Sequence, residues 1–139
     1  MADSLHVEIV SPSGSVFQGD ARGVVAPGTE GSFEVLRNHA PMIASFEVGS
    51  IDLTLQSGDR IRFATSGGFL EVLNNTVTIL AETAELASDI DVERARESEQ
   101  KALARLAEAG DAEERQAAED RLNRARNRLR AAMGSVGRR

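Results

Sequence analysis

Apolar and polar residues alternate with a period of two along the first part of the chain. In "LHVEIV" Leu5, Val7 and Ile9 alternate with His6 and Glu8. In "IDLTLQ" Ile51, Leu53 and Leu55 alternate with Asp52, Thr54 and Gln56, and in "RIRF" Ile61 and Phe63 alternate with Arg60 and Arg62. A period of two belongs to strands that bury one face. Turn-forming stretches recur between these runs: "SPSG", "APGTEG", "SGD" and "SGG". Asn74-Asn75 separates "LEVL" from "TVTIL". Asparagine tolerates positive φ, so the pair predicts a tight hairpin. Many short strands at this spacing predict a β-sandwich or barrel rather than βαβ units.

The alternation ends near residue 83, and after Ile90 the period becomes helical. Asp91 is placed to cap a helix that starts at Val92, with Ser88 as a competing cap one turn earlier. Gly110 stops that helix after about Ala109. Asp111, with Glu114 three residues on, predicts a second helix reaching about Met133. Two helices joined by so short a turn form an antiparallel hairpin. The second helix carries a seam with 4-3-4-3-4 spacing: Ala118, Leu122, Ala125, Leu129, Ala132 and Val136. The first offers Ala95, Ala102, Leu103, Leu106 and Ala109. Alanine buries far less apolar area than leucine, so the hairpin is expected to be marginal and easily opened. The expected organisation is an all-β sandwich over 1–84, a linker over 85–91, and a two-helix domain over 92–139.

Composition sharpens this picture. The 139 residues include five Phe but no Trp, Tyr or Cys. The core must be built from Val, Ile and Leu, and thiol chemistry is excluded. No apolar run approaches the roughly 18–20 residues of a membrane span. The N-terminus lacks the basic start and apolar run of a signal peptide, so export by that route is not expected. If the chain works at a membrane, another subunit holds it there.

Charge is distributed unevenly. Residues 121–139 hold seven arginines and no acid, while nine bases and all 22 acids precede them. The two parts carry +7 and −13, an asymmetry that points to an interaction surface. On a helical wheel Arg121, Arg124 and Arg128 flank one side of the apolar seam, and Arg126 and Arg130 flank the other. Support of the helix dipole fades within the last turn and does not account for Arg121 or Arg124. Two basic rows beside an apolar stripe suit an acidic groove, a nucleic-acid backbone or an anionic ligand. Little else carries chemistry. His6 and His39 are isolated in sequence, and "GTEG" and "TSGGF" lack the Lys and Ser/Thr of a phosphate loop.

"PGTEGSFEVLRNHAPMI", "SGGFLEVLNNTVTILAETAE" and "DIDVERA", in that order along nearly the whole chain, resemble the epsilon subunit of bacterial and chloroplast F-type ATP synthases. The resemblance implies about ten strands in a sandwich, followed by the helical hairpin. It implies a non-catalytic rotor subunit whose sandwich binds the gamma subunit and the c-ring loops, coupling proton flow to ATP synthesis. It implies a movable hairpin, folded during turnover and extended toward the beta and alpha subunits to hinder ATP hydrolysis. The implied location is peripheral, on the cytoplasmic face of a bacterial plasma membrane or the stromal face of a thylakoid, without membrane insertion.

Site residues carry over position by position. The loop expected at the gamma and c-ring interface contains Glu30, Ser32, Arg37, Asn38 and His39. It departs from the family at Ser32, often acidic there, and at Arg37, often Pro. The beta contact falls on Arg121, Arg124, Arg126, Arg128 and Arg130. Some members bind ATP on the hairpin through an Ile/Leu-Asp-x-x-Arg-Ala motif, which Ile90, Asp91, Arg94 and Ala95 match. Glu85 falls where such members carry a supporting carboxylate, and Arg124 and Arg128 are spaced to hold phosphates. The resemblance thus implies no required cofactor and, with Mg, ATP as a regulatory ligand. The main alternative is an Arg-tailed nucleic-acid or acidic-protein binding module. The tail lacks aromatics for base stacking and the sandwich half is acidic, both against nucleic acid. A sugar-binding sandwich would need an aromatic platform, and an enzyme is the weakest alternative.

Overall fold

A computed structural model describes residues 4–137, with side chains through Gly134. The chain divides into two compact units, Met1–Leu86 and Ala87–Arg139. The first holds nine strands: β1 Leu5–Ser11, β2 Gly14–Gly28, β3 Gly31–Leu36, β4 Met42–Phe46, β5 Gly49–Leu55, β6 Arg60–Thr65, β7 Gly68–Leu73, β8 Thr76–Ala81 and β9 Ala84–Leu86. The second holds a 3-10 turn at Ala87–Asp89 and two helices, α1 Val92–Glu108 and α2 Ala112–Gly137.

β2 organises the first unit. Its N-terminal half pairs antiparallel with β1, and its C-terminal half pairs with β3 and β5. β1 also pairs parallel with β8, β8 with β7, and β7 with β4. Gly28 at the end of β2 then pairs with Phe46 of β4, closing the circuit. β6 and β9 extend the other sheet beyond β5.

The parity of β2 shows how one strand serves both sheets. Ala21 points into the core, and so do Val24 and Ala26. Val24 comes three positions after Ala21, where strict alternation would take two. The register with β5 shifts at the same place, between Ala21 and Gly23. The extra residue, Arg22, is a bulge that resets the alternation, so both halves of β2 bury their apolar face. Without it every side chain beyond Ala21 would swap faces.

The core is as aliphatic as the composition requires. Leu5, Val7, Ile9, Val24, Val35, Ile51, Leu53, Leu70, Val72, Val77 and Ile79 are all fully or almost fully buried. Phe17 packs edge-on against Phe63, with ring centroids 5.9 Å apart. Outside the core, Arg62 forms a two-pronged pair with Asp52 across β5 and β6, at 2.8 and 3.1 Å. Those hydrogen bonds, with the attraction of the carboxylate, outweigh partial burial and hold the guanidinium above its ordinary pKa.

Residues 85–91, expected as a linker, are largely structured. Glu85 and Leu86 end β9, which pairs Ala84, Glu85 and Leu86 with Thr65, Ala64 and Phe63. Three residues are too few for alternation to show in the sequence. Ala87–Asp89 then form the 3-10 turn.

The helical boundaries follow local capping chemistry. Asp91 Oδ1 accepts from the Arg94 N–H at 3.2 Å, capping α1. Asp111 Oδ1 accepts from the Glu114 N–H at 2.7 Å, and Glu114 Oε1 reaches back to the Gly110 N–H at 2.8 Å. The buried faces match the predicted seam only in part. Ala118, Leu122, Ala125 and Ala132 are buried, but Leu129 is only half-buried. Asn127 and Ala131 are buried on the other side of α2. α2 thus buries more than one face, and it contacts the 3-10 turn as well as α1. Val136, the last seam position, lies outside the described side chains. Of nine buried apolar residues among those described from Ala87 onward, seven are alanine.

Candidate functional site

The candidate residues fall into three places. The first is the outer face of β1, β8, β7 and β4. Residues directly opposite in a ladder share a face, so the register defines it. Val10 is opposite Leu80, Leu80 opposite Phe69, and Phe69 opposite Ser45. One step along, Glu8, Thr78, Glu71 and Ile43 form the next row. On this face Ile43 is 76% exposed, Phe69 59% and Leu80 55%. Lone exposed apolar residues are ordinary, but three on adjoining strands of one face, bordered by Glu8, Glu71, Thr78 and Ser45, form a patch that is a candidate contact surface. The sequence reading missed it. Its signal was "GFLEVL", where Phe69 and Leu73 stand out of phase with the buried Leu70 and Val72.

The second place is the expected gamma and c-ring segment, which the structure divides. Glu30 sits in the β2–β3 turn and Ser32 at the start of β3. Arg37, Asn38 and His39 follow the end of β3. Ser32 and Arg37 are therefore separated by the length of β3, roughly 16 Å at about 3.3 Å per residue. The His39 N–H donates to Leu36 O at 3.1 Å, and Nδ1 donates to Ala40 O at 2.7 Å.

The third place is the hairpin. Ile90 and Ala95 are buried, so they serve packing. The Asp91 carboxylate is engaged in the α1 cap. Arg94 and Arg124 are exposed, and Arg128 is half-buried. Their guanidiniums are the groups with the chemistry to hold a phosphate. Glu85 lies on β9, opposite Ala64. Among the arginines expected at beta, Arg121, Arg124 and Arg130 are exposed. Arg126 instead spans the hairpin, its Nε donating to Glu99 Oε2 at 3.0 Å.

No helix of the described residues is long and apolar enough to cross a membrane. A sandwich of this topology followed by a two-helix unit, with an unpartnered apolar sheet face and an arginine-rich last helix, defines a subunit of a larger assembly. Comparisons agree. Residues 4–87 match the beta-sandwich domain of the ATP synthase delta/epsilon chain, and residues 88–133 match its long alpha-helix domain. The chain is 56% identical to the ATP synthase epsilon chain of Salinibacter ruber, over 99% of this chain and 97% of that one. It is 41% identical to that of Desulforamulus reducens, over 95% and 99%. Its fold is similar to a chain of the Euglena gracilis mitochondrial ATP synthase (OSCP/F1/c-ring), with a TM-score of 0.80 at 18% identity over 96% of this chain and 81% of that one. It is also similar to a chain of the Tetrahymena thermophila mitochondrial ATP synthase central stalk and c-ring, with a TM-score of 0.64 at 18% identity over 92% and 96%. The chain belongs to the ATP synthase delta/epsilon family and, within it, to the epsilon subunits of the F-type enzyme.

Proposed function

We propose that this subunit catalyses no chemistry itself and transmits and regulates rotation in the complex. Its sandwich docks on the gamma subunit and the c-ring loops. Its helical hairpin opens and extends toward beta and alpha, where it hinders ATP hydrolysis. The subunit sits peripherally on the cytoplasmic face of a bacterial plasma membrane, a reading the identity to bacterial epsilon chains supports. The observation that carries the docking is the exposed group of Ile43, Phe69 and Leu80 on the outer sheet face. Burying one such side chain contributes about 1.5–3 kcal/mol, enough for three to anchor a subunit. The residue 37–39 segment adds polar contacts.

The brake reading rests on the hairpin's composition. An interface of alanines offers little burial per contact, so opening costs little. Arg121, Arg124 and Arg130 then meet acidic surface of beta, joined by Arg126 and Arg128 once their present contacts are released. Mg-ATP binds the folded hairpin as a regulatory ligand. Arg94 and Arg124, with Arg128, hold its phosphates. A ligand bound only by the folded form favours that form by mass action.

Each part has a direct check. Phe69→Lys with Leu80→Glu changes exposed positions only and sets opposite charges across from each other, so the sandwich is expected to keep its stability within about 0.5 kcal/mol per site. The same variant is expected to lose co-sedimentation with the complex. Normal incorporation would remove this face from the docking surface.

Arg121→Ala, Arg124→Ala and Arg130→Ala together are expected to raise membrane ATP hydrolysis severalfold. Three rim ion pairs at about 0–1 kcal/mol each set that scale. Hydrolysis at the wild-type rate in a normally assembled complex would rule out the latch. Calorimetry of the full chain with Mg-ATP tests the ligand: binding is expected, weakened by Arg94→Ala and by Arg124→Ala. No heat at millimolar ATP, or heat from both variants equal to that of the wild type, would exclude the site.

A further inference from the structure

Among the described residues, every non-glycine residue with left-handed backbone is an asparagine: Asn38 at φ 69°, Asn74 at 51° and Asn75 at 60°. Asn74 and Asn75 are the central residues of the β7–β8 hairpin, and positive φ at both defines a type I′ turn. Glycine is the better residue at the second position, since it has no Cβ to strain there. Asn38 is the third residue of the turn closed by the His39 N–H on Leu36 O. That is again a position where positive φ favours glycine. Asparagine at both places costs the turns something, and the side chains show what it gains.

The Asn38 N–H donates to Asn75 Oδ1 at 2.6 Å, and Asn75 Nδ2 donates to Asn38 Oδ1 at 3.2 Å. The two residues are 37 apart in sequence. The Asn75 carbonyl also accepts the His6 N–H at 2.9 Å. One residue thus joins the start of β1, the segment after β3 and the β7–β8 hairpin. The segment after β3 leads from a strand paired with β2 to β4, which pairs mainly with β7. It therefore leaves one sheet for the other at the place where the clasp holds it. An exposed leucine flanks each half: Leu36, 52% exposed, precedes the first turn, and Leu73, 47% exposed, precedes the second.

We propose that Asn75 is a positioning residue, whose amide holds Asn38 and so presents Arg37 and His39 in a fixed geometry to a protein partner within the complex. The inference rests on the reading of residues 37–39 as a docking segment. Ordering the segment before it docks removes that entropy from the association step. Asparagine therefore occupies two positions where glycine would make the better turn.

The test uses the full chain and the complex stripped of this subunit. Asn75→Gly keeps the left-handed backbone, completes an Asn-Gly turn and deletes the amide. The melting temperature is expected to hold or rise. Solvent exchange of the Asn38 amide is expected to quicken about fivefold, as loss of one ordinary hydrogen bond implies, and affinity for the stripped complex to fall by a similar factor. Asn75→Asp retains an acceptor oxygen and is expected to restore most of both. Unchanged exchange at Asn38 in Asn75→Gly would overturn the clasp whatever the segment binds. Faster exchange with unchanged affinity would overturn the positioning role, provided Arg37→Ala and His39→Ala still weaken binding. If those two variants also bind normally, the docking reading of the segment fails, and the proposal with it.

Discussion

β2 gives its first half to β1 and its second half to β3 and β5, and the bend between them at Arg22 lets the strands wrap around one core. A strand of fifteen residues spans about 50 Å, too long for one side of a small sandwich. The extra residue resets the alternation, so that Ala21, Val24 and Ala26 all face inward. Closure through Gly28 and Phe46 follows, and with it the placing of β4 beside β7. That neighbourhood brings Ile43, Phe69 and Leu80 onto one outer face. The exposed apolar face is thus a consequence of how one strand is shared.

The two units differ in what holds them. In the sandwich, Leu, Ile and Val fill the core, and truncating one such residue to alanine costs about 2–5 kcal/mol. In the hairpin six of the seven buried apolar residues among those described are already alanine. The Arg126–Glu99 pair adds about 0–1 kcal/mol at a partly exposed site. The caps at Asp91 and Asp111 stabilise the ends of each helix, and these local bonds do not depend on the helices staying together. Helices that persist while their mutual contact is weak are suited to an element that changes partners.

What the sequence revealed was local. The alternation of Leu5, Val7 and Ile9 is the observed burial of β1, and Asn74-Asn75 is the hairpin it suggested. Asp91, Gly110 and Asp111 mark helix ends because a cap acts within four residues. Nine strands stand where about ten were expected, and β9 hid in a stretch read as linker because three residues show no period. The Arg22 bulge was invisible, since it declares itself only through its partner strand. Leu129 fitted the seam by spacing, yet Asn127 and Ala131 on another side of α2 are the more buried. The candidate site was less legible than the fold. Phe69 and Leu80 have the composition of core residues, and only cross-strand register shows that they point outward. The Asn38–Asn75 clasp joins two turns that were each readable alone but not together.

The central claim is that the outer face of β4, β7 and β8 is covered in the working complex. Hydroxyl-radical footprinting of the full chain, free and assembled, measures this side chain by side chain. The account predicts strong modification of Ile43, Phe69 and Leu80 in the free chain and protection of all three on assembly. The buried Leu70 and Ile79 on the same strands should be protected in both. Equal modification of Ile43, Phe69 and Leu80 in the two states would contradict it.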